Sequence, residues 1–153
     1  MQERRYQKSV RRPGTHNVGQ VQLADVMRLD HINLYVSDLE RSRAFYEKFA
    51  PAHGLPIVRD FPNIAVGFGE SDYAVLALVQ ISEPVQPTHL AFRVDQRTTV
   101  NKIYEAALNA GATDNGAPGL RPHYHTNYYA GFVRDPDGHN LEFVCHEPSP
   151  LED

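Results

Sequence analysis

The sequence is poor in the residues that build disulfide scaffolds and membrane spans. Cys145 is the only cysteine among 153 residues, which excludes an internal disulfide and a zinc site made of several cysteines. No run of about 18 apolar residues occurs, so a transmembrane helix is excluded, and the N-terminus lacks the apolar stretch of a secretory signal. We therefore expect a soluble, cytoplasmic protein whose length suits one globular domain.

The chain also lacks the short motifs of the commonest nucleotide and hydrolase sites. A G-x-G-x-x-G loop, a Walker A loop and a G-x-S-x-G nucleophile elbow are all absent. Basic and aromatic residues do not form the combined stripe along the body of the chain that a nucleic-acid-binding surface would need. These absences leave a small molecule as the expected ligand, with no nucleic-acid or membrane partner.

Charge is distributed unevenly between the first twelve residues and the rest. Residues 1–12 carry five Lys or Arg and one Glu, a local charge of +4, although the net charge of the whole chain is −4. Such a segment could contact an anionic surface, but it shows neither helical periodicity nor interleaved aromatics, and Met27 stands directly before the first strand pattern. We therefore predict a poorly ordered basic extension over 1–26, one domain over 27–147 and a tail over 148–153.

The first half of the domain, about residues 28–82, has the pattern of a β-α-β-β-β unit. Apolar and polar side chains alternate in residues 29–36, which is typical of a strand buried on one face. An S-x-x-E capping box follows, in which the side chains of Ser37 and Glu40 would satisfy each other's backbone donors at the start of a helix. Short β-branched or aromatic stretches predict three more strands over 55–60, 64–69 and 73–81.

The second half, about residues 87–146, repeats this pattern. It contains a predicted strand over 88–94, a helix over 98–110, a long Gly-, Pro- and His-rich loop over 114–127, and a last hairpin with strands over 128–134 and 140–145. A constant offset of 58 residues superimposes four identical positions, His31 on His89, Val36 on Val94, Tyr46 on Tyr104 and Glu47 on Glu105. Two copies of one unit indicate a duplicated α+β fold.

Strand alternation indicates which polar side chains can meet. His31, His89 and Glu142 all point away from their apolar neighbours, so a pseudo-two-fold pairing of the halves would bring two imidazoles and one carboxylate to one concave surface. This donor set suits Fe, Mn, Zn or Ni as a divalent ion, with positions left open for water or substrate. Taken singly, each histidine is by default interpreted as a structural residue of the sheet.

The chain from about residue 29 to residue 146 resembles the vicinal oxygen chelate superfamily, which includes glyoxalase I, extradiol dioxygenases, fosfomycin-resistance transferases and bleomycin-binding proteins. The resemblance rests on four segments: L-D-H-I over 29–32, D-L-E-R-S-R-A-F-Y over 38–46, T-H-L-A-F over 88–92 and F-V-R-D-P-D-G-H-N-L-E-F over 132–143. It implies two βαβββ modules whose curled mixed sheet forms a cup around a divalent metal that is held by His31, His89 and Glu142.

The resemblance also locates a possible fourth ligand. Glyoxalase I and the related epimerase place a carboxylate or amide on the last strand of the first module, and the matching position here lies near Leu76, among apolar residues. A three-ligand site, as in the fosfomycin transferases and the extradiol dioxygenases, is therefore expected.

Further residues are candidates for the wall of the cup. His125, Tyr128 and Tyr129 could act on a substrate as acid, base or orienting group, although strand alternation allows only one of the two tyrosines to face the cup. Asn33 and Tyr35 share the orientation of His31, so both are expected to line the substrate site. Arg93 and Arg121 could pair with an anionic group of a substrate, or could be solvated surface residues.

Two functions remain open at this level. The first is a metal-dependent enzyme that chelates adjacent oxygens of a small molecule, with ring cleavage, lyase and transferase chemistry all possible. The second is a metal-free protein that binds a small molecule or drug, as the bleomycin-binding members do. A homodimer is expected for either function, because short members of the superfamily often pair modules between chains, which would draw His31 from one chain and His89 with Glu142 from the other.

Overall fold

The computed structural model of the protein describes residues 28–148, so the predictions for the extension over 1–26 and for most of the tail lie outside the described residues. The first half contains β1 (Ile32–Val36), α1 (Leu39–Tyr46), a short 3-10 turn (Pro51–His53), β2 (Ile57–Phe61), β3 (Ala65–Glu70) and β4 (Tyr73–Gln80). The second half contains β5 (His89–Arg93), α2 (Arg97–Asn109), β6 (Thr113–Leu120), β7 (Tyr129–Arg134) and β8 (Asn140–Cys145).

The strands form two four-stranded mixed sheets with the same topology. The first sheet has the order β1-β4-β3-β2 and the second has the order β5-β8-β7-β6. The outer pairs β1–β4 and β5–β8 are parallel, and the other neighbours are antiparallel. The predicted α+β fold with two βαβββ modules is confirmed.

Each sheet has one face covered by a helix and one face free of helices, which we call the open face. In β1, Leu34 and Val36 are buried on the helix-covered side, whereas Asn33 and Tyr35 are exposed on the open face. This is the alternation that the sequence pattern predicts.

The start of α1 differs from the prediction. The expected Ser37–Glu40 capping box does not form; instead Asp38 is the N-cap, and its carboxylate accepts a hydrogen bond of 2.9 Å from the backbone N–H of Arg41. The Gln80 side chain accepts another from Leu39 N–H at 2.7 Å. Ser37 donates its hydroxyl proton to Asp137 of the other half, and this bond is strong because its acceptor is charged.

The predicted loop over 114–127 was wrong in its first half, where the structure has strand β6. This strand lies at the edge of its sheet and pairs with β7 through two irregularities in register, at Gly116 and toward Gly119. An edge strand tolerates the proline and the glycines that argue against a central strand. The sequence of β6 lacks the apolar alternation that predicts the other strands.

One hydrophobic core joins the two halves. Phe49, which follows α1, packs edge-on against Phe143 of β8 with ring centroids 5.8 Å apart. Tyr46 is fully buried and donates its hydroxyl proton to Asp135 at 2.9 Å. Within the described residues, no helix is both long and apolar enough to cross a membrane.

The turn between β7 and β8 docks against the start of α1. Asp137 accepts hydrogen bonds from the hydroxyls of Ser37 and Ser42 and pairs with Arg41 at 2.9 Å. Burial by itself would raise the pKa of Asp137, but the hydrogen bonds from both serines and the charge of Arg41 outweigh burial and hold that pKa below its ordinary value. The carboxylate is therefore a fixed anionic link between the halves.

We expect Asp137→Asn to lower the free energy of unfolding by about 2 kcal/mol at pH 7, because hydrogen bonds to a charged acceptor are lost. A lowered folded-state pKa contributes stability above the unfolded pKa, and this contribution disappears as the pH falls through the folded value. Urea titrations at pH 7 and pH 3 should therefore show a smaller difference between wild type and variant at pH 3. Asp72→Asn, at a carboxylate that is 89% exposed, is the matched control. An equal stability difference between wild type and Asp137→Asn at both pH values would contradict the lowered pKa of Asp137.

Candidate metal and substrate site

The open face of the second sheet brings together two of the three predicted metal ligands. His89 begins β5, Glu142 lies in the middle of β8, and the register pairs Ala91 with Glu142. The ring Nε2 of His89 lies 3.0 Å from Oε2 of Glu142. The Glu142 side chain is 4% exposed and that of His89 is 50% exposed, so the pair has one buried and one accessible end.

Tyr128 holds the other oxygen of this carboxylate. The Tyr128 hydroxyl donates to Oε1 of Glu142. Tyr128 reaches the open face because alternate residues of a strand point to the same side, and it lies four positions before Phe132, the register partner of Glu142. Burial, the hydrogen bond to Glu142 and the charge of that carboxylate raise the pKa of Tyr128 well above its ordinary value. The phenol therefore keeps its proton at neutral pH.

Two asparagines extend the cluster behind His89. The Asn140 side-chain nitrogen lies 2.6 Å from Nδ1 of His89, and the Asn115 side-chain nitrogen donates to Oδ1 of Asn140 at 2.8 Å. The sequence analysis missed both residues. Asn140 could have been found from strand parity, since it lies two positions before Glu142; Asn115 lies in β6, which had no strand signal.

His31 does not join this pair within the chain. Its Nδ1 lies 2.6 Å from a carboxylate oxygen of Asp30, and its side chain is 57% exposed. Over residues 28–148, no three His, Cys, Asp or Glu side chains are grouped so that they could hold a metal ion. The donor types of His89 and Glu142 fit a divalent metal, but a single chain provides only two of the three predicted ligands in one place.

The position of a fourth ligand is set by strand register. The offset of 58 places Asn33 on Ala91, and since Asn33 pairs with Ala77, it is Ala77 that corresponds to Glu142. Leu76, near which the sequence analysis placed this position, is buried on the helix-covered face. The location shifts by one residue, and the side chain there is apolar in both cases.

Of the predicted catalytic residues, Tyr128 and His125 lie at the cluster and Tyr129 does not. The rings of His125 and Tyr128 are in edge-on contact at 5.3 Å, and Nε2 of His125 lies 2.8 Å from Nδ1 of His146. Tyr129 points to the helix-covered face, where its hydroxyl donates to Asn101 of α2 at 2.8 Å. Adjacent residues of a strand point to opposite faces, so only one of the two tyrosines can reach Glu142.

The predicted substrate-binding residues are dispersed. Asn33 and Tyr35 lie exposed on the open face of the first sheet. Arg93 lies on β5 and its guanidinium pairs with Glu147 at 3.3 Å. Arg121 donates to the carbonyl of Ala117 at 2.8 Å and stacks over the ring of Phe132. No single surface of the chain gathers all four.

A cleft of about 410 Å³ lies at another place in the described part of the chain. Its lining is mainly apolar and includes Ile32 of β1, Phe92 of β5 and Phe143 of β8. None of the three predicted metal ligands lines it. The His89–Glu142 pair therefore lies outside this cleft.

Comparison with known proteins identifies the family. The model of the Glyoxalase/Bleomycin resistance protein/Dioxygenase superfamily matches residues 28–143. The chain belongs to this superfamily. It is the vicinal oxygen chelate superfamily, so the resemblance drawn from the sequence motifs is confirmed. The uncharacterized protein YqjT of Bacillus subtilis (strain 168) is 30% identical over 136 residues, which cover 76% of this chain and 98% of that protein.

Solved structures of superfamily members have the same fold. A glyoxalase/bleomycin resistance protein from Albidiferax ferrireducens T118 matches with a TM-score of 0.66 and 22% identity, over 78% of this chain and 98% of that chain. Lactoylglutathione lyase from Agrobacterium tumefaciens matches with a TM-score of 0.58 and 21% identity, over 76% and 92% of the two chains. At such identities the likeness shows the fold alone, and the reaction has to be argued from the site.

Proposed function

We propose that this protein is a divalent-metal-dependent enzyme that acts on a small molecule with two adjacent oxygen atoms. The observation that carries the proposal is the His89–Glu142 pair, with Nε2 and Oε2 3.0 Å apart on the open face of the second sheet. Glu142 is among the few charged residues that are buried in the described part of the chain. Burial of a carboxylate costs folding free energy, so stability alone does not account for this pair of side chains. A carboxylate beside an accessible imidazole does suit a metal site.

The residues of the cluster have distinct roles in this proposal. His89 and Glu142 hold the metal, which when bound supplies a Lewis acid for the adjacent oxygens of the substrate. Tyr128 keeps its proton and directs it at Oε1 of Glu142, which fixes the orientation of the carboxylate and leaves Oε2 toward His89. His125 lies against Tyr128 at the rim, where it could exchange a proton with a bound substrate.

The reaction type is constrained less tightly than the site. The superfamily includes lactoylglutathione lyase, and ring cleavage, lyase and transferase chemistry all use a metal-bound pair of oxygens. The alanine at position 77, which corresponds to Glu142, provides no fourth donor. This supports a three-ligand site for Fe, Mn, Zn or Ni, with open positions for a substrate.

A second copy of the chain would supply the third ligand. His31 and the exposed side chains of Tyr35, Phe61, Tyr73 and Val75 give the first sheet an open face that is partly apolar and uncovered. The open face of the second sheet carries His89 and Glu142 without a third ligand. Closing the first face of one chain over the second face of another would bury these apolar side chains and complete the site, so we propose a homodimer with two shared sites.

We expect wild-type protein purified without chelator to contain about one equivalent of Fe, Mn, Zn or Ni per chain, and His89→Ala/Glu142→Ala to contain none, because both donors of the pair are removed. Metal content by mass spectrometry is the measurement. His123→Ala, at an exposed histidine outside the pair, is the matched control and should keep its metal.

The opposite result is also informative. If wild-type protein takes up no metal after reconstitution with each of the four ions, the proposed enzyme function is wrong. Loss of metal in His123→Ala as well as in the double variant would show that the metal binds elsewhere. Circular dichroism of each variant establishes that the loss of a ligand, and not unfolding, causes the change.

One observation favours a second function, a metal-free binding protein of the bleomycin-resistance type. His89, Glu142, Asn140 and Tyr128 satisfy one another's hydrogen bonds within the chain. Tyr124 packs on Tyr128 with ring centroids 4.8 Å apart, and this provides an aromatic wall for a planar or cationic ligand. Binding of such a ligand with undiminished affinity by the metal-free double variant would support this second function.

A further inference from the structure

The hydrogen bonds behind His89 form a chain that extends across the second sheet. Asn115 donates its side-chain N–H to the side-chain oxygen of Asn140 at 2.8 Å, and the side-chain nitrogen of Asn140 lies 2.6 Å from Nδ1 of His89. At the other end of the ring, Nε2 of His89 lies 3.0 Å from Glu142. The three donor–acceptor distances between these residues lie between 2.6 and 3.0 Å, so the donor or acceptor role of each group constrains that of the next.

These contacts imply a particular tautomer of His89. A neutral imidazole carries its proton on one nitrogen and accepts at the other. If the Asn140 amide donates to Nδ1, the ring proton must lie on Nε2, where it is donated to Glu142. In that tautomer Nε2 has no lone pair for a cation, so the His89–Glu142 pair is closed.

An amide offers the opposite arrangement when it turns by 180°, because its oxygen and nitrogen exchange places with little change in shape. The Asn140 oxygen would then accept a proton from Nδ1 of His89, and its nitrogen would donate to the Asn115 oxygen. The Nε2 lone pair would be released toward Glu142. Histidines that bind metals generally donate their second ring N–H to an outer acceptor in this way.

We propose that Asn140, oriented by Asn115, is a positioning residue that sets the tautomer of His89 and thereby closes or opens its Nε2 to a divalent cation. The effect on cation binding rests on the proposed metal site, whereas the tautomer of the metal-free ring does not. Glu142 alone cannot perform this role, because a carboxylate at Nε2 only stabilises the closed tautomer. An outer partner that can both donate and accept is needed, and asparagine is such a residue.

The first test is the tautomer of His89 in the absence of metal. Nitrogen-15 NMR spectra of the side chains distinguish a protonated from an unprotonated ring nitrogen, and His89→Gln identifies the signals. At pH 8.5 we expect the proton on Nε2. Observing it on Nδ1 in the metal-free protein would overturn the proposal, whatever the protein does with metals.

The second test is Zn²⁺ binding, measured by calorimetry and by the same spectra. We expect Asn140→Leu to bind Zn²⁺ roughly 10- to 100-fold more weakly than wild type, and Asn140→Asp, which still accepts from Nδ1, to bind at least as tightly as wild type. Zn²⁺ should shift the proton of wild-type His89 to Nδ1, with a hydrogen-bonded signal that is absent in Asn140→Leu. Asn109→Leu, at an exposed residue of α2, is the control.

The outcomes separate this proposal from the proposed function. If no form of the protein binds Zn²⁺ or another divalent ion, the metal site is wrong, and a proton on Nδ1 of the metal-free ring would still refute the role of Asn140. If wild type and Asn140→Leu bind Zn²⁺ equally tightly, the metal site stands and the role of Asn140 is refuted.

Discussion

Neither His31→Ala nor Glu142→Ala is expected to bind metal, whereas an equal mixture of the two variants should recover about one quarter of an equivalent per chain after subunit exchange. The reason is that the shared site that we propose would take His31 from one chain and His89 with Glu142 from the other. In a mixed dimer, one site lacks both ligands and the other site is complete. About half of the dimers in a random mixture are mixed, and each contains one complete site among two chains.

The three predicted ligands are separated in the structure. His31 is exposed and paired with Asp30, and it is not grouped with His89 and Glu142 in the described part of the chain. Metal content by mass spectrometry on the mixture is the measurement, and native mass spectrometry verifies that mixed dimers have formed.

A control mixture and three contrary outcomes make the result decisive. A mixture of His89→Ala with Glu142→Ala should stay empty, because both changes fall on the same half of each site. Full metal binding by His31→Ala alone would show that His31 is not a ligand. A strict monomer in light scattering, or a mixture that contains mixed dimers without metal, would refute the shared site.

His139→Ala should lower the free energy of unfolding by about 3 kcal/mol. His139 is 1% exposed. Its Nε2 donates to the carbonyl of Tyr35 in β1 at 2.8 Å, and its Nδ1 accepts from the N–H of Thr88 at 3.0 Å. The imidazole therefore bridges the end of β1 and the residue before β5, and its removal leaves a cavity and two unpaired backbone groups.

Urea titration followed by circular dichroism measures this loss. His123→Ala, at an exposed histidine, should stay within about 0.5 kcal/mol of wild type. His139→Gln should recover part of the loss, because its amide can donate and accept at once. A change below about 1 kcal/mol in His139→Ala would mean that the bridge contributes little to the docking of the two halves.

The His139 bridge also affects the site. Thr88 directly precedes His89, and Asn140 directly follows His139. The same buried ring that joins the halves therefore fixes the start of β5 and the start of β8, where the site residues begin. A loss of metal binding that parallels the loss of stability in His139 variants would be expected on this basis.

Local features of the sequence were sufficient for most of the fold. Alternation in residues 29–36 and 88–94 predicts β1 and β5, and the helical pattern over 98–110 predicts α2 within one residue at each end. The motif around residues 132–143 identifies the superfamily and the repeated module. These features depend on neighbours along the chain, so they can be found without knowing what packs against them.

Other elements depend on contacts between distant segments. Strand β6 has no apolar alternation, and it forms because β7 offers it an edge to pair with. Ser37 was expected to cap α1, but its hydroxyl is donated to Asp137, one hundred residues later in the chain. A carboxylate that folding brings close orients this hydroxyl, because a charged acceptor forms a stronger hydrogen bond than a neutral one.

For the candidate site, the sequence by itself determined the residue types and the side of the strand on which His89 and Glu142 lie, which is the open face of the second sheet. Only the tertiary structure decided that Tyr129 faces α2, that Ala77 corresponds to Glu142, and that His31 lies apart from the pair. Parity follows from the pleat of each strand, which is a local property. Register and the docking of the two halves follow from packing between segments far apart in the chain, on which local periodicity carries no information.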